Sequence, residues 1–207
     1  ALVLEQWVGA YLDAPETRTA ARVAIARAWL AASNAPKALA LAEQAHADEP
    51  EAPGPYLLAL ELMTLQPSAE RIATQFLARD MVDSGLRLAY VRSLTQSQRY
   101  ADASQQLEII TKAEPQLPAP WLTLGALRLD MRQFREAEAA LQHYVDLAQK
   151  QPPSAAPGND DDAGPDGEDR GLTQAWLLLA QVAEQRGDLK AAEAWLAKID
   201  NPQRALD

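Results

Sequence analysis

Apolar residues recur along most of this chain at the three- and four-residue spacing that one face of an α-helix requires. The first such face precedes Pro15 and consists of Leu4, Trp7, Val8, Tyr11 and Leu12. The 14 prolines divide the rest of the chain into helix-length segments, since proline is tolerated at helix starts and breaks helix interiors. The best helix formers dominate, with 42 Ala and 30 Leu against 7 Val and 5 Ile. The pattern therefore predicts an all-α protein.

The positions of proline and alanine indicate that the helical segments repeat. Aligning Pro50 with Pro115 places Ala38 over Ala103, and the alignment extends down the chain. Periods of about 20 to 50 residues are typical of solenoids and other repeat architectures. We therefore expect stacked helix pairs rather than an irregular bundle.

The most complete motif lies in residues 118–151. It reads Trp121-x2-Leu124-Gly125, then Ala137-x3-Leu141, with Pro152 just beyond its end. This unit resembles the tetratricopeptide repeat (TPR), whose signature is W-x2-L-G-x2-Y, then A-x3-F and a closing Pro in about 34 residues. Arg128 departs from the signature, which has tyrosine there. The resemblance implies a right-handed α-solenoid of antiparallel helix pairs.

On this resemblance the chain is a single TPR-like array, which we expect to begin upstream of Ala1. The predicted divisions are a half repeat formed by a second helix at 1–18, repeats at 19–52, 84–117 and 118–151, a degenerate repeat at 53–83, and a last repeat with its tail at 173–207. Residues 152–172 interrupt the period and are rich in proline, glycine and aspartate. We expect them to form an acidic flexible insert.

Charge and residue inventory exclude several functions. The net charge is −10, whereas nucleic acid is bound by clustered Lys and Arg, so we expect no nucleic-acid partner. The longest apolar run falls far short of the roughly 18 to 20 residues of a membrane span, so we expect no direct membrane insertion. The chain has no Cys, and its two histidines, His46 and His143, fall in different units. We therefore expect no enzyme activity, with no catalytic residue, metal or cofactor.

The resemblance also implies a concave groove lined by the first helix of each unit. Its fifth positions are all aliphatic, namely Val23, Leu57, Leu88, Leu122 and Leu177. Its ninth and twelfth positions add Arg27, Glu61, Arg92, Gln181 and Thr95. The Lys and Asn set with which some TPR proteins clamp a C-terminal carboxylate is missing from the matching positions. The groove therefore favours an amphipathic or apolar peptide segment, unless the aliphatic residues pack between neighbouring first helices and contact no ligand.

The last helix predicts a further contact. Trp195 is followed within a few residues by a short tail, so we expect it to contact another chain, a further segment or the tail itself. Homo-oligomerisation through the ends of the array is therefore one of the alternatives.

The function that the resemblance implies is a non-catalytic scaffold that binds proteins or peptides. One alternative is a structural spacer or self-association region of a larger bacterial protein. Its compartment is the cytoplasm or the periplasm, with the periplasm or cell envelope slightly favoured. A second alternative is a regulatory repeat domain of an enzyme located elsewhere in the full chain.

Overall fold

The computed structural model describes residues 9–79, 82–150 and 166–200. These residues form α-helices and one short 3-10 helix at Pro67–Ala69, with no β-strand among them. In chain order the helices are α1 (Gly9–Asp13), α2 (Pro15–Ala31), α3 (Ala35–Asp48), α4 (Pro53–Leu62), α5 (Glu70–Leu77), α6 (Ser84–Gln96), α7 (Tyr100–Ala113), α8 (Pro118–Asp130), α9 (Phe134–Lys150), α10 (Asp166–Gln185) and α11 (Leu189–Asp200). The all-α prediction is confirmed.

Two helices begin earlier than the repeat alignment predicts. Helix α2 begins at Pro15, because proline suits the first turn, where no backbone N–H is needed. Helix α10 begins at Asp166, so residues 166–172 are helical where the sequence predicts a flexible insert. The remainder of the predicted insert, the start of the predicted half repeat and the tail after Asp200 lie outside the described residues.

The chain divides into two compact units, residues 1–99 and 100–207. In the first unit, α2 packs against α3 and α4, and α4 packs against α5 and α6. In the second unit, α8 packs against α7 and α9, and α10 packs against α9 and α11. In the first unit α4 thus contacts two other first helices, α2 and α6, and in the second unit the first helix α10 also contacts the first helix α8.

The first unit is centred on Tyr56 of α4. Its ring is fully buried and stacks on Phe76 of α5 with 4.4 Å between ring centroids. Its hydroxyl donates a hydrogen bond of 2.6 Å to the carbonyl oxygen of Leu86 in α6. Tyr56 therefore links the two helices of the segment whose repeat motif is weakest to the first helix of the next predicted unit. Small buried residues lie close to the buried Ile72, with Ala73 beside it in α5 and Ala69 in the 3-10 helix that precedes α5.

The buried phenol of Tyr56 makes the stability of this unit sensitive to high pH. Burial raises the pKa of Tyr56 from 10.0 to about 12, against a smaller opposite effect of Arg87. Since the folded state holds this proton more tightly, the stabilisation is complete below pH 10 and is lost as the pH rises towards 12. We expect the wild-type free energy of unfolding to fall by about 2 to 3 kcal/mol more than that of Tyr56→Phe over this range. Parallel pH curves in urea denaturation of the two proteins would contradict this assignment.

The second unit contains a close helix approach at Gly125 of α8. A Cβ atom on Gly125 would lie 2.5 Å from Cγ of Leu141 in α9 and 3.4 Å from the carbonyl oxygen of Ala137. Ala137 and Leu141 are fully buried, in one cluster with Trp176 and Leu179 of α10. The small residues of the sequence motif thus lie where two backbones meet.

Four turns that follow predicted first helices share one backbone feature. Among the described residues, a positive φ occurs at Ser33, Gln98, Arg132 and Gly187. Gln98 and Arg132 are 34 residues apart, and each of the four is the fifteenth residue of its predicted unit. The residue after each of them closes the turn through a backbone hydrogen bond of 2.8 to 2.9 Å to a carbonyl oxygen five residues earlier. The turn geometry therefore recurs with the period of the sequence motif.

Candidate functional site

The predicted groove residues of the first unit lie on α2, α4 and α6. These three helices contact one another in sequence order, α2 with α4 and α4 with α6. We call the face that carries Val23, Arg27, Leu57, Glu61, Leu88, Arg92 and Thr95 the first-helix surface. Helix α3 packs against α2 and α4, and α5 packs against α4.

An ion pair joins the ninth positions of two consecutive units on this surface. Arg27 donates to Oε1 of Glu61 through Nη2 at 2.8 Å and through Nε at 3.2 Å. The two side chains are 49% and 44% exposed. The ninth positions of α2 and α4 therefore face each other and are open to solvent.

The aliphatic fifth positions do not share one environment. Val23 is buried, and its Cγ2 would lie 3.5 Å from a Cβ atom added to Gly54 in α4. Val23 therefore packs between first helices. Leu57 and Leu88 are half-buried. The packing interpretation therefore describes Val23, whereas Leu57 and Leu88 present part of their side chains on the surface.

The third first helix contributes a cation and a hydroxyl. Arg92 of α6 is exposed and forms no ion pair within the described part of the chain. Thr95 is half-buried, and its hydroxyl donates to the carbonyl oxygen of Val91 at 2.8 Å. Arg92 is thus available to an anionic group, while the hydroxyl proton of Thr95 is already engaged.

Helix α6 is fixed in place through Glu70 of α5. Arg99, just beyond α6, donates to the Glu70 carboxylate oxygens at 2.8 and 2.7 Å, and the Tyr90 hydroxyl of α6 donates to the same group. The hydrogen bond from Arg99 holds the pKa of Glu70 below its usual value, although burial opposes this. These contacts hold α6, and with it Leu88 and Arg92, against the second helix α5.

The predicted groove residues of the second unit lie in two different settings. Leu122 of α8 is half-buried and packs against the core cluster of that unit. Leu177 of α10 is 50% exposed, and Gln181, one turn later, is also exposed. Trp195 of α11 is half-buried against the core cluster, with the Lys198 ammonium 4.6 Å from its ring centroid. Leu189 and Leu196 of the same helix are large apolar residues that are exposed.

Leu177 and Gln181 line an open groove of about 390 Å³ between α10 and α11. We call it the α10–α11 groove; its residues are Leu177, Ala180, Gln181, Glu184, Leu189, Ala192, Glu193 and Leu196. Leu177 and Gln181 are the two of these residues that the sequence analysis above names as groove candidates. The shared spacing of the four residues on each helix was the signal that could have found the rest.

The described residues offer no cluster for metal chemistry. Across 9–79, 82–150 and 166–200, no three His, Cys, Asp or Glu side chains converge to hold a metal ion. His143 instead packs against Trp121, with 4.3 Å between ring centroids. Among the same residues no helix combines the length and apolarity needed to cross a bilayer.

Comparison of the structure with solved structures identifies the fold. MamA from Desulfovibrio magneticus RS-1, residues 41 to the end, is 17% identical, with a TM-score of 0.55 over 91% of this chain and 97% of that one. A crystal structure of MamA is 11% identical in sequence, with a TM-score of 0.58; the match covers 87% of this chain and 95% of that one. YrrB, described as a TPR protein with an unusual peptide-binding site, is 15% identical in sequence, with a TM-score of 0.56. The match covers 90% of this chain and 88% of that one. The fold is that of a TPR protein.

The TPR resemblance inferred from the sequence is therefore confirmed at the level of the fold. No protein-family model matches the chain, and no curated protein matches it significantly in sequence. The fold is retained although Arg128 replaces the tyrosine of the signature. Arg128 instead donates to Oε1 of Glu108 in α7 at 2.8 Å, so the position joins neighbouring helices through charge.

Proposed function

We propose that this protein is a non-catalytic scaffold that binds a peptide segment of another protein on the first-helix surface. The observation that carries the proposal is the Arg27–Glu61 ion pair, because it aligns the ninth positions of consecutive units and leaves them exposed. Side chains at regular spacing on rigid helices are the arrangement with which repeat proteins bind extended partners.

The chemistry of the surface favours an amphipathic segment. Half-buried Leu57 and Leu88 offer apolar contacts beside charged residues. Exposed Arg92 offers a guanidinium to an acidic side chain of the partner. The Arg27–Glu61 pair adds only about 0.2 to 1 kcal/mol in solvent, so a ligand can rearrange it at small cost.

The peptide-binding site named for YrrB belongs to that protein, and it supports the present proposal through the shared TPR fold. The binding site of this chain is argued from its own residues, since a repeat scaffold can host many functions.

The proposal is tested with peptides selected from a random display library against the purified chain. We expect a selected peptide to bind Arg92→Glu about tenfold more weakly in calorimetric titration, because an acidic contact becomes repulsive. Arg135→Glu is the matched control, since Arg135 is also exposed but lies on the second helix α9. Equal affinity for Arg92→Glu, Leu88→Glu and the wild type would contradict binding at the first-helix surface.

A further inference from the structure

The α10–α11 groove is built from two matching stripes of side chains. Each helix contributes residues at i, i+3, i+4 and i+7, which place them on one helical face. The stripes are Leu177, Ala180, Gln181 and Glu184 on α10 and Leu189, Ala192, Glu193 and Leu196 on α11. Alanines form a shallow floor, and Leu177, Leu189 and Leu196 are 50%, 64% and 45% exposed around it. The pair therefore presents an apolar surface to solvent.

The preceding helix pair shows what covers this kind of surface. In the repeat alignment, Gly125, Ala137 and Leu141 of α8 and α9 are the counterparts of Ala180, Ala192 and Leu196. Leu141 is fully buried, whereas Leu196 is 45% exposed. The difference arises because Leu141 belongs to the cluster closed by Trp176, Leu179 and Val182 of α10. The same surface is thus covered by a helix in one pair and open in the next.

Charge distinguishes the open surface from the covered one. Arg186, the residue that follows α10, forms an ion pair with Glu138 of α9. The counterpart of Glu138 is Glu193, and the groove has a second acidic residue, Glu184, where the covered pair has Leu129. None of the eight residues that line the groove is cationic. The groove is therefore apolar and acidic, and its charge favours a basic occupant.

We propose that the α10–α11 groove binds a basic amphipathic helix from a partner protein, which packs there as α10 packs on α8 and α9. Such a helix has a large apolar residue, further apolar residues three and six positions later, and a basic residue ten positions later. This pattern is supplied by Trp176, Leu179 and Val182 of α10 together with Arg186, the residue that follows it. The surface belongs to the second unit and is separate from the first-helix surface, so either proposal can fail alone.

The probe for this proposal is a fluorescently labelled synthetic peptide with the sequence of residues 170–187, titrated into the intact chain by anisotropy. We expect binding that weakens about tenfold when the peptide carries Arg186→Glu, because it then meets Glu193. The protein variant Glu193→Arg should weaken the unmodified peptide by a similar factor. Combining the two reversals should restore binding to within about threefold of the original.

Leu196→Asp provides an independent test of the apolar floor and should weaken peptide binding by at least about tenfold. Ile109→Asp is its matched control, because Ile109 is equally exposed at 45% and lies on α7, outside the groove. Melting curves of both variants establish that they fold. The charge reversal at Glu193 keeps the test decisive if Leu196→Asp does not fold.

Three results would overturn the proposal. The first is no binding by the wild-type chain, or binding that is insensitive to both Glu193→Arg and Leu196→Asp, as expected if the peptide displaces α10 itself. The second is a wild-type dimer in sedimentation that Leu196→Asp converts to monomer, which would make a second copy the occupant. The third is peptide affinity that rises at least about tenfold on removal of residues 201–207, which would make the tail the occupant.

Discussion

Trp176→Ala is expected to destabilise the second unit by about 3 to 5 kcal/mol. The Trp176 side chain is 4% exposed and lies in the cluster that joins α9 to α10. Its removal leaves a cavity between consecutive helix pairs, and in repeat proteins stability depends on such nearest-neighbour interfaces. The loss is a large part of the roughly 5 to 15 kcal/mol by which a native domain is stable.

The effect is measured by urea denaturation followed by helical circular dichroism. Leu177→Ala is the control, because Leu177 is the next residue on the same helix and is half exposed. Its truncation should cost no more than about 1 kcal/mol, since little buried surface is lost. Similar losses in the two variants would show that α10 does not pack on α9 through its Trp176 face.

Gly125→Ala is expected to destabilise the second unit by about 1 to 2 kcal/mol, although alanine is the better helix former. Replacing a helical glycine by alanine gains up to about 1 kcal/mol of propensity, whereas overpacking a filled core costs about 1 to 3 kcal/mol. Overpacking prevails because the added Cβ would lie 2.5 Å from Cγ and 2.7 Å from Cδ2 of Leu141. Leu141 is itself fully buried and has no free space to enter.

Gly54→Ala is the control for this prediction. A Cβ atom on Gly54 would lie 3.5 Å from Val23, at ordinary contact distance. We expect this variant to unfold at the same urea concentration as the wild type or a higher one. A stabilised Gly125→Ala protein would contradict the close approach of α8 and α9.

The helix pairs could be predicted from the sequence because their determinants are local. Gly125, Ala137 and Leu141 recur at motif spacing since two backbones can approach only where one residue is small. The weakest predicted unit was harder to judge, because Ile72 occupies the small position. The structure contains Ala69 and Ala73 on either side of it, both fully buried, and a shorter second helix.

The state of the candidate surfaces could be predicted only in part. Arg27 and Glu61 follow from the repeat register, and their ion pair agrees with it. The fifth positions are all aliphatic in sequence, but Val23 is buried and Leu177 is half exposed. Burial there depends on which neighbouring helix covers each face, and this is a property of packing that no single unit encodes.

The most direct test of the central claim, peptide binding on the first-helix surface, is the amide hydrogen-exchange footprint of a library-selected peptide on the intact chain. The proposal predicts protection concentrated in α2, α4 and α6, with that of α6 lost in Arg92→Glu. Protection confined to the second helices α3 and α5, or no change on any helix at saturating peptide, would contradict it.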